Sequence, residues 1–136
     1  MKFIIFDTCR KSHFDPYLCM FAKERISAYG SRKETVTVFD KGDIAFYYRN
    51  GIIGAGRIIS DVIENGEEWY RNVELLTPQL KSERDIRCLS AAKLKQLVGH
   101  GFFFANTVKS PYLSLDETQT VLNFIRHLYG LPSIIL

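Results

Sequence analysis

Two kinds of chemistry are open to the side chains of this 136-residue chain. The first is nucleophilic. Cys9 and His13 stand four residues apart, where a thiol and its base could meet. No third residue can be identified to orient the imidazole. His100 lies between Gly99 and Gly101, a turn position, and His127 falls on the polar side of a C-terminal helix. Asp40 and Asp43 flank Lys41-Gly42 and read as turn chemistry rather than an acid–base pair. There is no P-loop, no GxGxxG after a strand and no HExxH. The expectation is a protein that is not an enzyme, with no catalytic residues.

The second kind is stacking and phosphate binding, and it is better supplied. Aromatic residues make up 13% of the chain. Phe14, Tyr17, Tyr29, Trp69, Tyr70 and Tyr112 fall where loops are expected. Aromatic faces beside cations can stack an unpaired base while holding its phosphates. The net charge is only +3, but it is unevenly spread. Residues 1–33 carry Lys2, Arg10, Lys11, Lys23, Arg25, Arg32 and Lys33 against Asp7, Asp15 and Glu24. Residues 81–109 carry Lys81, Arg84, Arg87, Lys93, Lys95 and Lys109 against Glu83 and Asp85. Between them, residues 61–74 hold Asp61, Glu64, Glu67, Glu68 and Glu74 with Arg71. If the basic segments meet in space they form one positive face; if not, the surface is an ordinary mixed one.

The elements that must position these groups are legible in part. Lys2–Phe6 reads as a buried strand. Asp15-Pro16 reads as a helix start, with Leu18, Phe21 and Ala22 as its apolar stripe and Gly30 as its end. Thr35–Phe39 is open between a short strand and irregular chain. Asn50-Gly51 and Asn65-Gly66, set between apolar runs, predict type I′ turns joining a three-stranded meander over about 43–48, 52–63 and 68–77. In its middle strand Ile52, Gly54, Gly56, Ile58 and Val62 share one face, and Ile53, Ala55, Arg57, Ile59 and Ile63 the other. Gly54 and Gly56 mark a close approach to backbone. A helix starts at Ser90 and stops at Gly99. Phe102–Phe104 reads as a strand. A last helix opens at Ser114 with Glu117 completing a capping box, buries Leu115, Val121, Leu122, Ile125 and Leu128, and ends by Gly130 and Pro132. The sum is a single α+β domain with a curved central sheet of about five or six strands.

Cys9, Cys19 and Cys88 are widely spaced, without a CxxC, so structural zinc is not expected and a reducing, cytoplasmic compartment is. MKFIIFD is not a signal peptide, and no apolar run is long enough to cross a membrane.

One block adds a family to this reading. Lys41-Gly42-Asp43, then Ile44-Ala45-Phe46-Tyr47-Tyr48, then Ile52-Ile53-Gly54-Ala55-Gly56-Arg57-Ile58, resembles the signature of EVE domains. These belong to the PUA superfamily and are close relatives of YTH domains. In them a K-G-D turn leads into a strand ending in Tyr, and the next strand carries a V-G-x-G-x-V-like run. The order of elements agrees over nearly the whole chain. The resemblance implies a small β-barrel or curved sheet flanked by helices, with a pocket for a modified, methylated base of DNA or RNA. No cofactor and no metal are expected. The pocket would be made by Asp7, Thr8 and Cys9 after the first strand, with Ser31 and the aromatic walls Tyr29 and Trp69. Arg10, Lys11, Arg32, Lys33 and Lys109 would hold phosphates. The chain departs from the family at Tyr29, where Trp is common, and at Tyr47-Tyr48-Arg49, where Tyr-His is usual. Lys109-Ser110-Pro111-Tyr112 matches a C-terminal Arg/Pro motif only loosely. A nuclease or motor would be a natural partner for such a reader. Three alternatives stay open: a PUA-like RNA-binding domain without modified-base selectivity, a small-molecule enzyme using Cys9 or Asp7 in the same cleft, and a protein-interaction domain.

Overall fold

A computed structural model describes residues 3–7, 20–99, 108–109 and 113–136. Among these residues there are seven strands: β1 Phe3–Asp7, β2 Arg25–Tyr29, β3 Ile44–Tyr48, β4 Ile52–Ile58, β5 Ile63–Asn65, β6 Glu68–Leu75 and β7 Val108–Lys109. They run in the order β2-β6-β4-β3-β1-β7, with β5 also on β6. β1 pairs with β3 in parallel and the remaining ladders are antiparallel. Among the described residues the path ends at β2 and β7, so the curved sheet is open. Among the described residues the α+β fold also has α-helices α1 Ala91–Val98 and α2 Leu115–Leu128, a helical turn at residues 20–22, and 3-10 helices over Gly30–Val38 and Glu83–Asp85.

The K-G-D turn is structural. Asp43 is buried, and its carboxylate accepts the Asp40 N–H at 2.7 Å. Gly42 takes a φ of +91°, and its N–H reaches the Ile58 carbonyl at 2.8 Å. The turn thus closes the far end of the β3–β4 ladder. At the near end, Asn50 and Gly51 both take positive φ, as expected, but the loop is three residues long because Tyr48 pairs with Ile52. A side chain at Gly51 would run into Cys88 and the Leu89 carbonyl. The second Asn-Gly pair behaves differently. Asn65 is the last residue of β5, and the central turn residues are Gly66 and Glu67. Gly66 alone of these residues has positive φ, which suits glycine at the first central position of a type II′-like turn rather than type I′.

The expected long middle strand over 52–63 is two strands meeting at a corner. β4 pairs with the C-terminal part of β6, Ile58 opposite Val73, and β5 with its N-terminal part, Ile63 opposite Tyr70. Residues 59–62 are the excess, and polar groups secure them. Ser60 Oγ accepts the Asn72 N–H at 2.8 Å. The buried Arg71 donates to the Ser60 carbonyl at 3.0 Å and to the Val36 carbonyl at 2.8 Å, which satisfies its charge with fixed dipoles. A second irregularity, between Tyr47 and Tyr48, reverses the expected facing at the start of β4. Ile53 packs with Ile58 and Tyr47, while Ile52 packs with Ala55 and Phe46. A bulge inserts one residue and so flips the alternation before it.

Those two sets are the two cores. The first, including Phe21, Ile26, Val36, Phe39, Tyr47, Ile53, Ile58 and Val73, lies between β3–β4 and the β2–β6 limb that curls over them. The second, including Ile5, Phe46, Leu94, Val121, Leu122 and Ile125, lies between the opposite face and the helices. Phe21 holds its place in the expected stripe, but Ala22 is exposed. The chain then forms β2, a strand the expectation of one helical region running to Gly30 passes over. Residues 35–38 belong to the 3-10 helix, not to a strand.

Local signals fix the two α-helices. Ser90 caps α1 and Gly99 ends it at φ +78°. Ser114 and Glu117 form the expected capping box, with contacts of 3.1 and 2.8 Å. The α2 core face is narrower than expected: Leu115 and Leu128, in its first and last turns, are 55% and 38% exposed, while Thr118 is buried. After α2, the Tyr129 hydroxyl lies 2.7 Å from the Ile53 carbonyl and accepts the Arg87 N–H at 3.0 Å, pinning the helix end to β4. Phe102–Phe104 and the Asp15-Pro16 helix start lie outside the described residues. Among those described, no helix is long and apolar enough to cross a membrane.

Candidate nucleic-acid interface

The β2–β6 ladder carries the candidate stacking residues, and its pleat decides which of them can meet. Ala28 stands opposite Trp69, and Tyr29 opposite Glu68. Successive side chains of a strand point to opposite faces. Ala28 and Ile26 belong to the first core, so Trp69 lies on the inner face, half-buried and packed against that core. Tyr29 lies on the outer face and is 49% exposed. The register therefore does not bring Tyr29 and Trp69 together as two walls of one cage.

What Trp69 does meet is Lys33, whose Nζ lies 5.2 Å from the centre of the indole. The 3-10 helix delivers this lysine from the chain that leaves β2. Ser31 and Arg32, in its first turn, are exposed beside it in sequence. An ammonium over an indole face is a cation–π contact, and in the open it is worth about 0.5–1 kcal/mol. A planar, electron-poor base competes for the same face at comparable or greater gain.

On the outer face the Tyr29 hydroxyl donates to Glu68 at 2.8 Å. Arg25 approaches the same carboxylate at 3.4 Å and lays its guanidinium 3.6 Å from the centre of the Tyr70 ring. Arg25 and Glu68 are largely buried, with side-chain exposures of 18% and 13%. Sequence reasoning did not single out this pair. The alternation in Arg25-Ile26-Ser27-Ala28-Tyr29 was the signal, once those residues are read as a strand. Trp69 and Tyr70, listed among the loop aromatics but also within the third strand expected over 68–77, sit on that strand, β6.

Two more residues of the expected site are placed on other strands. Asp7 ends β1, paired in parallel with Tyr48. Lys109 is in β7, opposite Ile5. Thr8, Cys9, Arg10 and Lys11 lie outside the described residues. Gly54 and Gly56 do mark a close approach, and the approaching groups are the protein's own. A Cβ on Gly54 would stand 2.7 Å from the Phe21 ring and 2.9 Å from Thr77 Oγ1, and one on Gly56 would stand 3.1 Å from Val73. Cys88 is exposed, its thiol pushed up by partial burial and its sulfur near the Asn50 carbonyl. Among the described residues, no three His, Cys, Asp or Glu side chains gather as a metal site.

The sequence matches no protein-family model and no curated protein. Solved structures share the fold. The chain is similar to a YTH domain, that of Mmi1 in complex with RNA, at a TM-score of 0.52 and 9% identity, over 93% of this chain and 79% of that one. It is equally similar to Rpa0253 from Rhodopseudomonas palustris, at a TM-score of 0.52 and 15% identity, over 96% and 94% of the two chains. The class defined is thus an α+β domain with a YTH-like fold.

Proposed function

We propose that this chain is a non-catalytic RNA-binding module in which Trp69 stacks on an unpaired, modified base while Lys33 and Arg32 contact the adjoining phosphates. The observation that carries this reading is the half-buried indole with a lysine ammonium over its face, on the inner side of a fold shared with a YTH domain in complex with RNA. The K-G-D to GxG block, which resembles EVE domains, supports the modified-base part. A methyl group on the base adds roughly 0.8 kcal/mol of apolar burial, so selectivity needs a neighbouring group that penalises the plain base as well. Ser31, exposed two residues before Lys33, is the candidate for that contact. Tyr29 belongs to the outer-face cluster and is left out of the stack.

Trp69 is the chain's single tryptophan, so its fluorescence reports this position alone. Titration with short RNA and DNA strands, plain or carrying methylated adenine or cytosine, is expected to quench it, most strongly for a methylated RNA. Trp69→Ala should weaken binding by about 1–3 kcal/mol, read by anisotropy of a labelled strand. Binding without quenching, or unaffected by Trp69→Ala, sinks the stacking role. Equal binding of plain and methylated strands reduces the module to a general RNA binder.

A further inference from the structure

We infer that a second surface, far along the chain from Trp69, is a track for the phosphodiester backbone: the exposed strip Lys81, Arg84, Arg87, Lys93 and Lys95, joined by Arg49 from the β3–β4 loop. This rests on the RNA-binding reading above and adds to it the surface that supplies most of the electrostatic attraction.

The strip is one surface because the structure ties its parts to one end of the β3–β4 ladder. Ile52, the first residue of β4, bonds to Leu89 in both directions at 2.8 Å. Arg49 reaches Glu83 at 3.4 Å. Ser90 then starts α1, whose buried Leu94 leaves Lys93 and Lys95 exposed on either side, Lys93 with its ammonium 5.4 Å from the centre of the Phe124 ring. All five residues of the strip other than Arg49 are exposed. The acids present are few. Glu83 is engaged with Arg49, and Asp85 accepts the Ser82 hydroxyl at 3.1 Å. Six cations against two acids leave a surplus of four, more than the +3 of the whole chain.

The rest of the chain therefore carries a formal charge of only −1, and the polarity has a direction. β4 begins at the strip and ends at the corner leading to Asp61, Glu64 and Glu67, all exposed. A domain with positive charge gathered at one end of a strand and negative at the other orients a polyanion before contact. A run of exposed cations on a helix and its lead-in can hold repeated phosphates and carries no base preference.

The test replaces Arg84, Arg87, Lys93 and Lys95 together with Gln, and uses Lys23→Gln/Lys41→Gln as a control of exposed cations elsewhere. Anisotropy is measured against plain and methylated single-stranded RNA, the same sequence as DNA, and poly-glutamate, over a series of salt concentrations. Unchanged circular dichroism and melting show that the variants fold. Expected is an equal loss for plain and methylated strands, with the slope of log K against log salt reduced by about 0.7 for each cation that contacts a phosphate. The control should leave the slope unchanged. Comparable behaviour on RNA and DNA identifies the backbone alone as ligand; loss on RNA only assigns the track to RNA. A wild-type slope in the fourfold variant overturns the track while leaving RNA binding at Trp69 intact. A reduced slope without methyl preference leaves the track and removes the modified-base reading. Poly-glutamate binding as tight as RNA at the same salt points to an acidic protein instead, and absence of nucleic-acid binding at low salt overturns both.

Discussion

Tyr47 shows how one side chain serves two ends. Its ring fills the first core, 4.5 Å from that of Phe21, and its hydroxyl donates to the Arg25 carbonyl at 3.0 Å. A tyrosine of the EVE-like strand motif thus ties β3 to the start of β2. Burial, with Glu24 adding like-charge repulsion, pushes the phenol well above its usual value. The sign follows. Below about pH 10 the phenol is protonated folded or unfolded, so its contribution is fully present. Above that, the unfolded chain releases the proton while the folded one retains it, and stability falls as pH rises. Tyr47→Phe should cost about 1 kcal/mol at neutral pH through the lost hydrogen bond. It should also flatten the alkaline loss, narrowing the gap to the parent at high pH. Urea midpoints at pH 8 and pH 11 check this; parallel losses in both proteins would show that Tyr47 ionisation is not linked to folding.

At the scale of elements, what could be read from sequence depended on how local its cause was. α1 and α2 were legible because Ser90, Gly99, Ser114 and Glu117 act within one turn. The β3–β4 hairpin was legible because the K-G-D and Asn50-Gly51 turns bracket it. β2 was not, since five residues after a helix read equally well as its tail until β6 lies beside them. The corner at 59–62 was hidden for the same reason: Ser60 and Arg71 fix it through partners distant in sequence. The site inherited that gap. Trp69, Lys33, Ser31 and Tyr29 were all named in advance, but which of them share a face depends on the pleat parity of a strand that sequence did not reveal. The most local feature is also the easiest to weaken. Ser114→Ala removes the acceptor for the Glu117 N–H and half of the capping box, at a cost of about 1 kcal/mol. A lower urea midpoint with unchanged denaturant slope is expected. A changed slope would mean that α2 frays separately from the rest.

For the molecule as a whole, the arrangement is two cores on the two faces of one sheet, with the candidate stacking residue on the limb that curls over the first core and the basic strip at the start of β4 beside the helices. The two proposed binding surfaces thus rest on different packing units. They are connected by β6, whose first half pairs with β2 and β5 and whose second half pairs with β4. That division has a kinetic consequence. The limb bearing Trp69 cannot lift from the body without breaking β6 at Arg71 and Asn72, where the corner and the 3-10 helix are also fastened. Backbone amides across Glu68–Leu75 should therefore exchange with deuterium as one cooperative unit, among the slowest in the chain. Fast exchange at 68–70 with slow exchange at 73–75 would reveal a limb that opens by itself. If the strand does exchange as one, the Trp69 face is held ready before any ligand arrives, and binding pays little for ordering it.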